Sequence, residues 1–170
     1  MFATVETDFG LFLLREAPAN EPLVVSPLSV IFALAMVQAG ARVTTKNQIN
    51  KVISKGAFAL IVNAIYFTAE WSVKFDQSSN SKRKFFSAEN SEKELEFMNN
   101  VDYKLYVEDA DLLLLSLQYK DTSYAFNILL PKKRFGLGEV LKTMDGEKVQ
   151  NLLSKLKETY VSVPFPHFIF

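Results

Sequence analysis

The 170-residue sequence contains no cysteine, and its charges balance. The absence of cysteine excludes disulfide bonds, thiolate catalysis and every metal site built on cysteine. Nineteen basic residues face nineteen acidic ones, so the formal net charge is zero. Because no overall field draws such a chain toward a polyanion, we predict no nucleic-acid partner and no membrane partner.

Histidine is almost as scarce, since His167 is the only one. A Ser-His-Asp arrangement would have to use it, and no Gly-x-Ser-x-Gly elbow accompanies it, so His167 is interpreted as structural or exposed. The acidic turn at Glu108, Asp109 and Asp111 lacks the glycine and distal glutamate of an EF-hand, which favours a solvated loop. The sequence therefore predicts no enzyme, no cofactor and no metal site.

Two basic clusters and one glycine pair are weak motifs. The clusters SKRK (81–84) and PKKR (131–134) are compatible with anion contacts or import signals, but charged turns at strand ends are the favoured interpretation. Gly136-x-Gly138 lacks the third glycine of a dinucleotide site and the Gly-Lys-Ser/Thr of a phosphate loop. It is interpreted as the start of a helix.

The sequence also lacks a long hydrophobic run. Its most apolar stretch, residues 23–39, is shorter than the roughly 20 residues that cross a bilayer and contains several polar residues. The N-terminus carries Glu6 and Asp8 where a signal peptide would carry lysine or arginine, and no Asn-x-Ser/Thr sequon follows. We therefore expect a cytoplasmic location.

The first third of the chain carries helix signals. Apolar spacing after Thr7 or Asp8 predicts a first helix. The stretch LVVS (23–26) predicts a short strand that runs into Ser26 as N-cap and Pro27 as the first helical residue, with the helix ending at Gly40. A polar helix follows, capped near residue 44 or 45 and ended at residue 56.

Residues 58–68 are apolar on both alternating faces, which predicts a central strand that is covered on both sides. Asn63 interrupts this run. Because a buried amide without partners costs on the order of 1–3 kcal/mol, Asn63 needs hydrogen bonds, and we expect Ser26 and Ser29 to supply them.

The second half of the chain predicts strands separated by short turns, then two helices joined at Asp145-Gly146. Short connections favour antiparallel pairing. The chain finishes in an extended segment whose residues Pro164 and Pro166 indicate a sheet edge or a crossover between sheets. Helices first, then strands, then a mixture, predict an α+β fold.

Several motifs, in order, resemble the serpin family. VVSPLSVIFALAMVQAGA resembles the sixth strand of sheet B and helix B, TTKNQINKVI resembles helix C, and LIVNAIYFTAEWSVKF resembles strand 3A with its breach tryptophan. FMNN, LSLQYKDTSYAFNILLPKKRFGLGEVL and VSVPFPHF are similar to strands of sheets C and B, helices G and H, and the approach to strand 6A. The resemblance implies a partial serpin fold with N-terminal helices, remnants of sheets A, B and C, and two later helices.

The resemblance also implies roles for particular residues. Ser26, Ser29 and Asn63 match the shutter positions that govern how sheet A opens, and Trp71 matches the breach at the top of that sheet. In working serpins, an exposed reactive loop is cut by a serine or cysteine protease and inserts into sheet A, which traps the acyl-enzyme.

The expected domain is a single incomplete serpin domain, residues 1–170. The passage from helix C directly to strand 3A implies that helices D to F and strands 1A and 2A are missing, and the reactive-loop region would follow residue 170. We therefore expect a serine-type endopeptidase inhibitor by family that does not inhibit as this chain. The alternative is an interaction module that pairs through open sheet edges with itself or with a full-length serpin. For location, the extracellular space is the common family alternative.

Overall fold

The computed structural model describes residues 2–18, 21, 23–53 and 69–167. The predicted central strand at residues 58–68, with Asn63, lies outside the described residues. The chain divides into two compact units: Met1–Phe67 with Leu141–Gln150, and Thr68–Val140 with Asn151–Phe170.

The first unit is helical. It contains α1 (Phe2–Arg15), α2 (Pro27–Gly40), α3 (Val43–Ile53) and the turn that joins α4 (Leu137–Thr143) to α5 (Gly146–Ser154). The side chains that bury most in the three N-terminal helices are apolar: Phe9, Leu11, Ile31 and Ile49. No described helix is long and apolar enough to cross a membrane.

Helix α1 begins earlier than the sequence predicted, at Phe2 rather than after a cap at Thr7 or Asp8. The Asp8 carboxylate instead accepts a hydrogen bond from the Gly146 N–H at 2.6 Å, so it caps the first turn of α5. At the other end of α1, Arg15 donates from Nε to the Leu141 carbonyl at 2.7 Å. Two polar side chains of α1 therefore hold the α4–α5 turn.

The short strand predicted at residues 23–26 is not formed, because these residues are irregular up to the start of α2. Leu23 and Val24 are exposed, at 45% and 74%. A strand is stable only beside a neighbour, and no described strand pairs with this stretch.

The second unit is built on a five-stranded antiparallel sheet. Its strands are β1 (Ser81–Ala88), β2 (Ser91–Glu108), β3 (Leu112–Gln118), β4 (Ala125–Pro131) and β5 (Lys157–Pro166). A short 3₁₀ turn at Gln77–Ser79 precedes the sheet. The mixture of helices and antiparallel strands confirms the predicted α+β class.

Strand β2 organises the sheet because it is 18 residues long and pairs with three other strands. Along one edge, β1 pairs with its first half and β3 with its last residues, while β5 pairs with the opposite edge from Phe97 to Tyr106. Strand β4 continues the sheet beyond β3. The buried core of this unit centres on Leu115, Leu117 and Val163.

Candidate functional site

Ser26 and Ser29 lie together at the start of α2. Ser26 has extended backbone angles (φ −104°, ψ 104°), and Pro27 occupies the first helical turn. The Ser26 Oγ accepts hydrogen bonds from the Ser29 N–H at 3.2 Å and from the Ser29 hydroxyl at 2.7 Å. The structure thus confirms the predicted N-cap and brings the two predicted hydroxyls into contact, while the contact to Asn63 stays a prediction.

Trp71 is held against the end of β3 by backbone hydrogen bonds on both sides. Trp71 and Tyr119 form an isolated antiparallel bridge. The Ser72 N–H donates to the Gln118 carbonyl at 3.0 Å, and the Lys120 N–H donates to the Glu70 carbonyl at 2.8 Å. The predicted breach tryptophan therefore begins a short extension of the sheet beside β3.

The indole ring of Trp71 is the centre of an aromatic group that we call the Trp71 cluster, formed with Phe75, Tyr119 and Phe126. The indole stacks on Tyr119 with ring centroids 4.7 Å apart and an interplanar angle of 11°. Its edge contacts to Phe75 and Phe126 are at 6.1 and 6.2 Å. Burial raises the pKa of the Tyr119 hydroxyl. This geometry makes the cluster a packing element rather than a reactive one.

Sequence reasoning missed Tyr119 and Phe126, although both follow a visible signal. The run Leu112–Gln118 is buried at almost every position, so an aromatic residue directly after it extends the same apolar surface. What the sequence did not show was that Trp71, far away along the chain, would stack there.

The acidic turn is a strand connection, as predicted. The Asp109 carboxylate accepts hydrogen bonds from the backbone N–H groups of Asp111 and Leu112, both at 2.8 Å. Glu108 lies 3.0 Å from the Lys132 ammonium, and the hydrogen bond from Lys132 is the main reason that the pKa of Glu108 is lowered. Among the described residues, no group of three or more acidic or histidine side chains could hold a metal ion.

The basic clusters lie at strand ends. On β1, Lys84 pairs with Glu92 of β2 at 2.7 Å. After β4, Lys133 pairs with Glu139 at 2.8 Å, and the Arg134 guanidinium lies 4.3 Å from the centre of an aromatic ring of β1. The interpretation as a charged turn therefore holds for PKKR (131–134), which leaves β4 at Pro131, whereas it is wrong for SKRK (81–84), which forms the first half of β1.

His167 is 48% exposed in its side chain, and its Nδ1 lies 3.9 Å from the Glu96 carboxylate. Its backbone N–H donates to the Glu96 carbonyl at 2.8 Å, which extends the pairing of β5 with β2. Gly136 precedes α4 and accepts from the N–H groups of Glu139 and Val140, so it is a helix start. His167 therefore lies at a strand end, and Gly136 lies at a helix start.

Three strands of the sheet have one strand neighbour each among the described residues: β1, β4 and β5. Within the part of the chain that the structure describes, no second strand pairs with their outer backbone groups. The edge at β1 carries the basic pair Lys82 and Lys84, whereas β4 ends at Pro131 and β5 ends at Pro164 and Pro166. Basic residues and prolines are the usual means of limiting edge pairing.

Comparison with known proteins identifies the class. The model of the Serpin (serine protease inhibitor) family matches residues 4–57 and 51–170. The chain therefore belongs to the serpin family, as the motifs predicted, and members of this family are protease inhibitors rather than enzymes.

Individual relatives also match the chain, and one of them is named as a serpin. Iripin-2 of Ixodes ricinus is 26% identical over 169 residues, which are 98% of this chain and 41% of that protein. Serpin B4 of Homo sapiens is 30% identical over 114 residues, which are 64% of this chain and 29% of that protein. The chain thus spans less than half the length of these relatives.

Solved structures show the same fold. Ovalbumin from emu superposes with a TM-score of 0.82 at 16% identity, covering 99% of this chain and 73% of that one. The thermophilic serpin tengpin in its native state gives 0.78 at 20% identity, covering 98% of this chain and 66% of that one. The predicted partial serpin fold is confirmed.

Proposed function

We propose that the chain is a serine-type endopeptidase inhibitor by descent and that these 170 residues, on their own, do not trap a protease. The observation that carries the proposal is the family match in two overlapping pieces, residues 4–57 and 51–170. Two stretches of the family model meet near residues 51–57, which supports the prediction that helices D to F and strands 1A and 2A are missing between them.

Trapping depends on inserting a cleaved loop into sheet A as a new strand. The described strands of this chain form a sheet around β2, and the chain matches 41% of the length of Iripin-2. Within the proposal, Ser26, Ser29 and Asn63 correspond to the shutter residues of serpins, and Trp71 corresponds to the breach residue. In this proposal, Ser26, Ser29 and Trp71 act as packing groups and do not admit an inserted strand.

The test is incubation of the purified 170-residue chain with a panel of serine and cysteine proteases, followed by denaturing electrophoresis. We expect no complex that survives denaturation, and a full-length inhibitory serpin in the same panel is the positive control. A covalent complex at the summed mass of chain and protease would overturn the proposal.

The second candidate is an interaction module that pairs through its open sheet edges with itself or with a full-length serpin. The observation that favours it is the single strand neighbour of β4 and of β5 within the described residues. Size-exclusion chromatography, with and without a full-length serpin, tests it. A compact monomer that does not bind the serpin would contradict it.

We also propose a cytoplasmic location for the chain. This proposal keeps the expectation drawn from the sequence. Fractionation of cells that express the chain with a C-terminal tag tests it, and recovery of the tag from the medium would contradict it.

A further inference from the structure

One hydrogen bond shows which backbone groups of β5 face its outer edge. The His167 N–H donates to the Glu96 carbonyl at 2.8 Å, so at this position the β5 backbone faces β2. In an antiparallel pair, successive residues direct their N–H and C=O groups to opposite edges. The odd-numbered residues of β5 therefore face β2, and the even-numbered residues face outward.

A second hydrogen bond independently gives the same assignment of odd- and even-numbered residues to the two edges of β5. The Asp109 N–H donates to the Leu112 carbonyl at 2.9 Å, which directs the odd-numbered residues at the end of β2 toward β3. The even-numbered residues of β2 then face β5, and Tyr106 is paired with Lys157. This again assigns the odd-numbered residues of β5 to the inner edge.

The prolines divide the outer edge into two parts. Pro164 and Pro166 are even-numbered, so their nitrogens, which carry no hydrogen, face outward. The N–H groups that remain on this edge belong to Glu158, Tyr160 and Ser162. A strand that pairs here finds donors only along the first part of β5.

We propose that β5 pairs with β5 of a second copy of this chain, antiparallel, with Tyr160 opposite Tyr160 on a two-fold axis. The proposal rests on the interaction-module candidate and deepens it by naming the edge, the partner and the register. In this register, Glu158 lies opposite Ser162 of the second copy. Each of the three donors then meets a carbonyl, and both prolines lie beyond the paired segment.

An axis on Thr159 or on Val161 offsets the two Tyr160 residues by two positions. The two other registers that centre the axis on an outward-facing residue of β5 are worse for stated reasons. Centring the axis on Ser162 places Pro164 opposite Tyr160 and Pro166 opposite Glu158, so the prolines cannot donate to the second copy. Centring it on Glu158 places two carboxylates directly opposite each other, which is destabilising. The register centred on Tyr160 avoids both defects.

The side chains support the same arrangement. Tyr103 and Tyr160 are directly paired across β2 and β5, with ring centroids 5.3 Å apart, yet they remain 65% and 63% exposed. Residues directly opposite in an antiparallel pair share one face of the sheet. The dimer would therefore align four tyrosines in one row across the interface.

Charge also permits a second copy as the partner. The formal net charge of the chain is zero, so two copies do not repel each other as whole molecules. The edge at β1, in contrast, carries Lys82 and Lys84, and lysines on an edge strand oppose pairing with another strand.

The test is site-specific cross-linking, which is clean because the chain has no cysteine of its own. Opposed residues in a hydrogen-bonded antiparallel pair have Cα atoms about 5.5 Å apart, within the range of a disulfide. Under mild oxidation, Tyr160→Cys should give a disulfide dimer on non-reducing gels. Ser162→Cys should remain monomeric on the same gel, because its symmetry mate lies roughly 14 Å away along the strand.

Two further variants identify the edge. Asn127→Cys places a thiol on β4, and we expect it to stay uncross-linked. Ser162→Pro removes an outward N–H without touching the pairing with β2, so its dimer dissociation constant in sedimentation should rise at least about tenfold, whereas Ser162→Ala should keep it.

The outcomes separate the register from the edge-pairing candidate. A dimer in sedimentation whose Tyr160→Cys variant does not cross-link, or whose Ser162→Cys or Asn127→Cys variant cross-links equally well, overturns the register and edge proposed. A monomer for the unmodified chain overturns the self-pairing altogether. The protease panel is unaffected by either result.

Discussion

Replacing Trp71 with alanine tests whether the Trp71 cluster stabilises the sheet unit. The substitution removes the stack on Tyr119 and the edge contacts to Phe75 and Phe126. Truncating a large core aromatic costs about 3–5 kcal/mol, and the half-buried position of Trp71 favours the lower end, about 3 kcal/mol. For a chain of this size, that loss corresponds to a melting temperature lower by roughly 6–12 °C.

Urea unfolding followed by far-ultraviolet circular dichroism measures this loss, because the method does not depend on the indole that is removed. Trp71→Phe keeps a ring on Tyr119 and should recover more than half of the lost stability. Val43→Ala, at a position that is 75% exposed, is the control and should change the free energy of unfolding by less than about 0.5 kcal/mol. A loss below about 1 kcal/mol for Trp71→Ala would refute the role given to the cluster.

Three further predictions concern other contacts. Ser26→Ala should cost about 1 kcal/mol by loss of the N-cap, and recovery by Ser26→Asn in thermal melts would identify capping as the cause. The pKa of Glu108 is lowered by Lys132, so the stabilisation is present above its ordinary value of 4.5 and is lost as pH falls through the folded value; Lys132→Met should return the pKa toward 4.5 in an NMR titration, and an unchanged titration would contradict this. Gly146→Ala forces a methyl group against a backbone carbonyl of α1 and should cost more than about 1 kcal/mol, whereas Gly40→Ala meets nothing within 4 Å and should change stability by less than about 0.5 kcal/mol in urea titrations.

Local signals predicted the elements whose causes are local. The N-cap at Ser26, the following proline and the end of the helix at Gly40 all lie where the sequence placed them, because capping and helix termination involve residues within one turn. The strands separated by short turns were predictable for the same reason.

Elements that depend on distant contacts could not be predicted in the same way. The sequence predicts Asp8 as a cap for its own helix, but its carboxylate accepts a hydrogen bond from the N–H of Gly146, which is 138 residues away. The short strand at 23–26 had a suitable composition and no described neighbour to pair with. Composition can favour a strand, but the strand forms only where a neighbouring strand pairs with it.

The candidate site also combines a contact between near residues, which was predicted, with a contact between distant residues, which was not. Ser26 and Ser29 were predicted to share a site, and they contact each other across one helical turn. The stacking of Trp71 on Tyr119 joins residues far apart in the chain, so the sequence identified the indole but not the ring that receives it.

The length of β2 has a consequence for the order of folding. Its pairing with β1 closes a local hairpin, while its pairing with β5 must bring Tyr106 to Lys157 across about fifty intervening positions. Closing the longer loop costs more chain entropy, so β5 should pair with β2 late during folding. Until then, the edge of β2 that pairs with β5 should stay unpaired. Pulse-labelled amide exchange should therefore protect the hairpin first, and simultaneous protection of both edges would show that β2 acquires all its neighbours in a single step.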